Sequence, residues 1–399
     1  MWIKRDFETF LQSLKGNQSL PVKVLKGPRQ VGKTSIIEHA GSYQLIALDD
    51  HSLRQQAEDN PRLFLEQFSG PILLDEAPLA PALFPEIKRL VDQSRRDRRA
   101  NRASAELDIW ITGSNQTLLE KSVQESLAGR ASYFDFNTLS IHELGALDLP
   151  SLMLRGGWPE LAIDSKLDPV RYLNNLISTF IEKDIVAAAG IERKAAFTKT
   201  IGLIAGRIGQ LFNASDIAAN VGVESSTIHS WVAKLEQNAI LRTVHPYYTN
   251  LNQRLIKSPK VYFEDVGLAS RFQGWNEYQP LFTSPSFGHL IENLGLIEIV
   301  RFFINRGDTP PIQFLRSKEK VEVDFLVGLP NNRWLAVEVK SSPSNFSEDQ
   351  LKLLEKTGLT FIDRWMIYPS TGLRDGLNCR WVSFLDIHKE LSKLMESKR

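Results

Sequence analysis

Gly27-Pro28-Arg29-Gln30-Val31-Gly32-Lys33-Thr34 decides how the rest of the chain is read. The spacing is G-x-x-x-x-G-K-T. It follows a short apolar run, Val22-Lys23-Val24-Leu25, and opens onto Ser35-Ile36-Ile37-Glu38-His39, which has the character of a helix start. A strand, a glycine-bounded loop and a helix, in that order, make a cradle for phosphate. Glycine lets the backbone curl until its N–H groups face inward, and the helix N-terminus adds the positive end of its dipole. Lys33 supplies a point charge for the β- and γ-phosphates, and the Thr34 hydroxyl a ligand for Mg²⁺. Gly27 to Thr34, with Ser35 beside them, are the expected binding residues for ATP with Mg²⁺.

Two later stretches answer this loop. Pro71-Ile72-Leu73-Leu74-Asp75-Glu76-Ala77 is an apolar run ending in two acids. It predicts a parallel strand carrying both carboxylates at its C-terminal tip, where open α/β sheets bind ligands. Asp75 is placed to hold Mg²⁺ through water, and Glu76 to polarise the attacking water. Ile109-Trp110-Ile111-Thr112-Gly113-Ser114-Asn115 predicts another strand with a polar tip. Ser114 or Asn115 would then stand between the acids and the γ-phosphate; a plain helix cap is the competing role for each. Arg130 in Leu127-Ala128-Gly129-Arg130 suits a charge sensor on the γ-phosphate, in its own subunit or a neighbour's, or else a surface ion pair. The arginine-rich stretch Arg95–Arg102 reads as a solvated loop.

The chain has 399 residues, enough for two or three domains, and 42% hydrophobic residues to build their cores. A net charge of +1 gives no global case for nucleic-acid binding. One cysteine, Cys379, excludes an internal disulfide framework and fits a cytoplasmic setting. The residues after Met1 lack the apolar stretch of a signal peptide, and no run is long and apolar enough to predict a membrane span.

Beyond a turn-rich connector, Leu154-Arg155-Gly156-Gly157-Trp158-Pro159-Glu160, the middle of the chain reads as helical. Asn213 to Leu235 has the pattern of helix–turn–helix, with Ser215 as first cap, Gly222 ending the first helix, and Ile228, Trp231, Val232 and Leu235 as the buried stripe of the second. Leu241-Arg242-Thr243-Val244 and a basic strand near Lys257–Val261 would complete a winged helix, and Arg254, Lys257 and Lys260 keep DNA reading open. The exposed face offers few cations, which favours an internal lid or assembly role over DNA reading.

Toward the C-terminus, Val321–Val327 and Leu335–Lys340 alternate with period two. Asp324 lies on the first strand; Glu338 and Lys340 share one face of the second. A preceding helix carries Glu292. Carboxylates on paired strands can share a hard divalent ion that activates water, with a lysine steadying developing charge.

The GPRQVGKT loop, the LLDEA box, the TGSN strand end and the LAGR segment together resemble a family of prokaryotic AAA-type ATPases with a C-terminal domain of unknown function. Asp324, Glu338-x-Lys340 and Glu292 resemble the site of PD-(D/E)xK restriction-endonuclease-like nucleases. The resemblance implies an α/β protein in three parts. Residues 1–145 form the P-loop ATPase core, 146–265 a helical and winged-helix domain, and 266–399 a nuclease-like domain. It implies an ATPase that repositions the other two parts, with a second Mg²⁺ or Mn²⁺ at the nuclease-like site. DNA and further copies of the chain are the partners it suggests. An ATP-gated, metal-dependent DNA nuclease and a non-catalytic winged-helix adaptor are the alternatives.

Overall fold

The computed structural model describes residues 2–40, 43–103, 106–188, 190–248, 258–309, 311–369 and 374–396. Arg254 and Lys257 lie outside the described residues.

Five strands build the first sheet: β1 (Val22–Lys26), β2 (Gln44–Ala47), β3 (Ile72–Asp75), β4 (Ile109–Ile111) and β5 (Ala131–Asp135). They lie in the order β2-β3-β4-β1-β5, and every pairing is parallel. A parallel sheet is buried on both faces, which explains the continuous apolar runs. On β1, Val22 and Val24 enter one core and Leu25 the other. This order sets β4 between the P-loop strand and the strand ending in Asp75. The C-terminal tips of β3, β4 and β1 therefore share one edge. A short helix, Phe7–Leu14, buries Phe7, Leu11 and Leu14 beside them.

Local details depart from the sequence reading. The arginine-rich stretch is largely helical, because Ile87, Val91 and Ser94 bury one stripe of a helix that runs from Leu83 to Arg99. Its arginines sit where the helix dipole favours cations, and Arg98 donates to the Gln18 carbonyl at 2.8 Å. Leu53 to Phe68 has helical character in the sequence but forms two helices, His51–Asp59 and Pro61–Glu66, since Pro61 cannot continue the first ladder and Asn60 caps the second helix. Asn213, rather than Ser215, caps the helix Ala214–Val221 by accepting from the Asp216 N–H.

That helix turns through Gly222, at φ +70°, into Ser225–Gln237, which buries Ile228, Trp231, Val232 and Leu235. Two antiparallel strands follow, β6 (Leu241–Pro246) and β7 (Lys260–Phe263). The last part adds β8 (Ile312–Arg316), β9 (Glu322–Leu329), β10 (Arg333–Val339), β11 (Thr360–Tyr368), β12 (Arg374–Asp375) and β13 (Arg380–Ser383). All belong to one eight-stranded sheet, ordered β12-β13-β11-β10-β9-β8-β6-β7. His245 and Pro246 of β6 pair with Gln313 and Phe314 of β8, so the sheet runs across residue 265. The helix Ser286–Ile304 is buried on almost every side. Gly295 lets it approach the sheet, since a Cβ there would stand 2.7 Å from Val339 Cγ2. One apolar cluster, from Phe7 to Leu391, joins all three parts.

Candidate functional site

The P-loop wraps the end of β1. Gly27 adopts φ +150°, and a Cβ on it would fall 1.9 Å from the Phe136 carbonyl oxygen. Gln30 and Gly32 are also left-handed, at φ +61° and φ +88°. Gly27, Pro28, Val31 and Lys33 are buried, Arg29 and Thr34 partly so, and Gln30 and Ser35 are exposed. The Lys33 ammonium donates to the carbonyls of Gly27 at 3.0 Å and Pro28 at 2.7 Å. Burial lowers its pKa to about 8, while the charges of Glu76 and Asp75 pull it upward. A buried cation held by neutral carbonyls would gain from a phosphate anion, so the loop fits a nucleotide.

The acids stand at the adjoining tips. Thr112 Oγ1 on the β4 side donates to Asp75 Oδ1 at 2.5 Å. Glu76 is left-handed at φ +51°, a conformation that costs a non-glycine residue energy and concentrates at functional sites. Ser114 holds its carboxylate, with the backbone N–H 3.0 Å from both oxygens and the hydroxyl 3.0 Å from Oε2. Of the two polar residues left open by the sequence, Ser114 is therefore the one on the glutamate. Asn115 instead caps the helix Gln116–Leu127, its Oδ1 accepting from the Leu118 N–H at 3.0 Å. Arg130 makes a two-bond pair with Asp92, at 2.7 and 3.0 Å. Thr34 and Asp75 are the residues that would hold Mg²⁺.

A second polar cluster lies in the C-terminal sheet. The Asp324 N–H donates to Glu338 Oε1 at 3.0 Å, and Lys340 Nζ reaches Glu338 at 2.5 Å and Asp324 at 3.3 Å. Glu292 accepts from the Tyr262 hydroxyl at 2.6 Å. Burial, and then the Asp324 charge, push Glu292 and Glu338 up to about 7 and about 8. The four expected residues thus come together, joined by two that sequence reasoning missed. Lys260 of β7, read above as part of a basic wing, turns inward and pairs with Glu292 at 3.2 Å and with Glu322. It is 2% exposed.

Lys260 and Tyr262 belong to the stretch Lys260-Val261-Tyr262-Phe263-Glu264-Asp265-Val266-Gly267-Leu268. Asp265 is a buried junction. It caps Val266–Phe272 through the Leu268 N–H, and accepts from the Gly157 N–H at 2.9 Å and from Thr138 Oγ1 at 3.1 Å. Arg301 lies 3.6 Å away. Gly267 has no room for a side chain, because a Cβ would meet Gly156 N at 2.3 Å. From the other side, Arg5 donates to the Val31 carbonyl at 3.1 Å and the Asn137 carbonyl at 2.7 Å. The Asn137 amide in turn donates to Glu264 at 3.0 Å.

A parallel sheet in this order, a P-loop on its β1 strand and an acid pair one strand away define a P-loop protein of AAA type. Residues 19–145 match the family model described as an AAA domain. Residues 146–279 and 287–374 match two models described as domains of unknown function, DUF8612 and DUF4143. An uncharacterized protein of Mycobacterium tuberculosis is 30% identical over 330 residues, covering 81% of this chain and 71% of its own length. A Mycobacterium bovis protein matches equally. An uncharacterized Haemophilus influenzae protein is 23% identical over 340 residues, covering 76% of this chain and 79% of its own. A solved Walker-type ATPase of Pyrococcus abyssi is 15% identical, with a TM-score of 0.40 over 67% of this chain and 95% of that one. The chain belongs to the family of these mycobacterial proteins, and in it an AAA domain precedes the DUF4143 match. No helix among the described residues is long and apolar enough to cross a membrane.

Proposed function

We propose that the chain binds ATP with Mg²⁺, hydrolyses it, and uses the cycle to shift its helical and C-terminal parts. One observation carries this reading: Lys33, Asp75, Glu76 and Ser114 converge at the shared edge of β1, β3 and β4. Lys33 and the loop N–H groups bind phosphate oxygens. Thr34 and Asp75 hold the metal, whose charge offsets that of the phosphates. Glu76 orients water, and Ser114 fixes the Glu76 carboxylate. Lys33→Ala should abolish ATP turnover while leaving the chain folded; unchanged turnover sinks the assignment.

The route outward supports a switch. The helix that follows Ser114 carries Thr117 and Glu120, and both meet the second helix of the helix–turn–helix. Gln237 donates to Glu120 at 2.7 Å, and Asn238 to Thr117 at 3.2 Å. The P-loop itself is touched by the helical part, since the Tyr172 hydroxyl donates to Gln30 at 3.0 Å. A winged helix held this way serves better as a lid than as a groove reader.

A second reading, an ATP-gated metal-dependent DNA nuclease, draws on Asp324, Glu338 and Lys340 on adjoining strands with Glu292 nearby. Against it stands Lys260, an ammonium among the acids that would otherwise hold the Mg²⁺ or Mn²⁺. Comparing plasmid cutting by wild type and Asp324→Ala, with Mn²⁺ and ATP, decides it; equal cutting removes the nuclease.

A further inference from the structure

Asp6 stands at the N-terminal cap position of the helix Phe7–Leu14, yet its carboxylate caps nothing there. It turns instead toward two imidazoles brought from distant parts of the chain. His142 Nδ1, from the short helix Ile141–Leu144 beyond the AAA domain's last strand, lies 2.8 Å from Asp6 Oδ2. His388 Nδ1, from the closing helix Ile387–Glu396, lies 3.3 Å from the same oxygen. One donor atom from each residue falls within 4.8 Å of the other two. Among the described residues this is the one group of three with that geometry.

The orientation of His388 sharpens the point. The residue is 3% exposed, and its Nε2 lies 3.0 Å from the Glu298 carbonyl oxygen. A carbonyl only accepts, so Nε2 carries the hydrogen. Neutral His388 then directs the bare lone pair of Nδ1 at a carboxylate oxygen. Two acceptors facing each other need a positive centre between them: a second proton or a metal ion. A metal-bound histidine commonly gives its other N–H to a backbone carbonyl in this way. The alternative requires a second proton on His388, since neutral His142 can donate from Nδ1 to Asp6. The His142 and His388 rings stack at 5.2 Å and 27°, and Arg306 and Lys389 line the same cavity of about 390 Å³. Glu298, below His388, is already paired with Arg301 at 2.6 Å, and Glu143 with Arg5 at 3.0 Å. An imidazolium at His388 would stack on His142 and face these cations, whereas one divalent ion satisfies all three ligands at once.

We propose that Asp6, His142 and His388 form a zinc-class metal site that pins the N-terminal segment and the closing helix to the end of the AAA domain. Two imidazoles and a carboxylate suit Zn²⁺, with a fourth position left for water on the cavity side. The site stands apart from the P-loop and from the Asp324 cluster, and does not depend on the reading of either.

The test uses the full chain, stripped with chelator and exchanged into buffer free of Mg²⁺ and nucleotide. Co²⁺ is titrated while visible d–d absorption is followed, and Zn²⁺ is then added. We expect one equivalent of Co²⁺ to give a saturable band that Zn²⁺ displaces, and Zn²⁺ to raise the Tm. His142→Gln should lose both responses; this partly exposed position tolerates the change without unfolding. His388→Gln should do the same where it folds. Asp324→Asn and Thr34→Ala should keep both. Absence of saturable uptake by wild type, or uptake retained by His142→Gln, overturns the proposal and leaves a proton-bridged cluster.

Discussion

Ser114 donates to Glu76 twice, from its backbone N–H and from its hydroxyl, each at 3.0 Å. The strained glutamate therefore has a fixed carboxylate, aimed by the strand that lies between the P-loop and its own. Ser114→Ala removes the hydroxyl and keeps the N–H. A hydrogen bond to a charged group contributes about 1.5–3 kcal/mol, so kcat should fall roughly 10- to 100-fold with little change in ATP affinity. Glu76→Gln should lower kcat by about 10²–10⁴-fold and still bind nucleotide. Steady-state turnover paired with equilibrium nucleotide binding separates the two quantities; a loss of binding in either variant contradicts these roles.

Lys33 sets a pH limit on binding. Its pKa in the free protein, lowered by burial, is about 8. Only the charged form attracts phosphate, so above this pH binding must recruit a proton. Apparent ATP affinity should be flat below pH 8 and fall by up to about tenfold per unit above it. Fluorescent-nucleotide titrations from pH 6.5 to 9.5 measure the profile, and a flat line through pH 9 contradicts it.

The acid cluster predicts the opposite sign to most carboxylates. Glu292 and Glu338 are raised, to about 7 and about 8, above their ordinary value of 4.5. The folded chain then holds more protons than the unfolded one between these limits. Their contribution is complete below pH 4.5 and is lost as pH rises toward 8. Urea midpoints should drop across this range, and Glu338→Gln should flatten the slope. Equal slopes in both proteins would mean that Glu338 ionises normally.

Lys260 provides charge that a divalent ion would otherwise supply. Lys260→Met leaves Glu292 and Glu322 without their ammonium. The variant should melt earlier in metal-free buffer and regain more of its Tm in Mn²⁺ than wild type does. If Mn²⁺ shifts both proteins alike, the ammonium does not occupy cation space.

Asp265 ties the connector, the AAA domain and the C-terminal helix in one buried set of bonds. Removing one partner of a buried charged pair costs about 3–5 kcal/mol, so Asp265→Ala should lose about that much stability in urea. Asp265→Asn should lose less, because it can still cap Val266–Phe272. A surface-sized effect of Asp265→Ala would contradict the junction.

The sequence by itself determined what depends on neighbours along the chain. The P-loop needs glycines at set spacing between a strand and a helix. The acid pair needs only an apolar run before it, and the buried stripe of Ser225–Gln237 follows from helical periodicity. Tertiary structure decided whatever depends on which strands lie side by side. Ser114 and Asn115 are equivalent on paper, and the placement of β4 beside β3 gives the glutamate to one and a helix cap to the other. Lys260 looks like a surface cation because a charge is expected in water. It is buried because Glu292 of the long helix and Glu322 of β9, tens of residues away along the chain, meet it there, and their pooled charge offsets its desolvation.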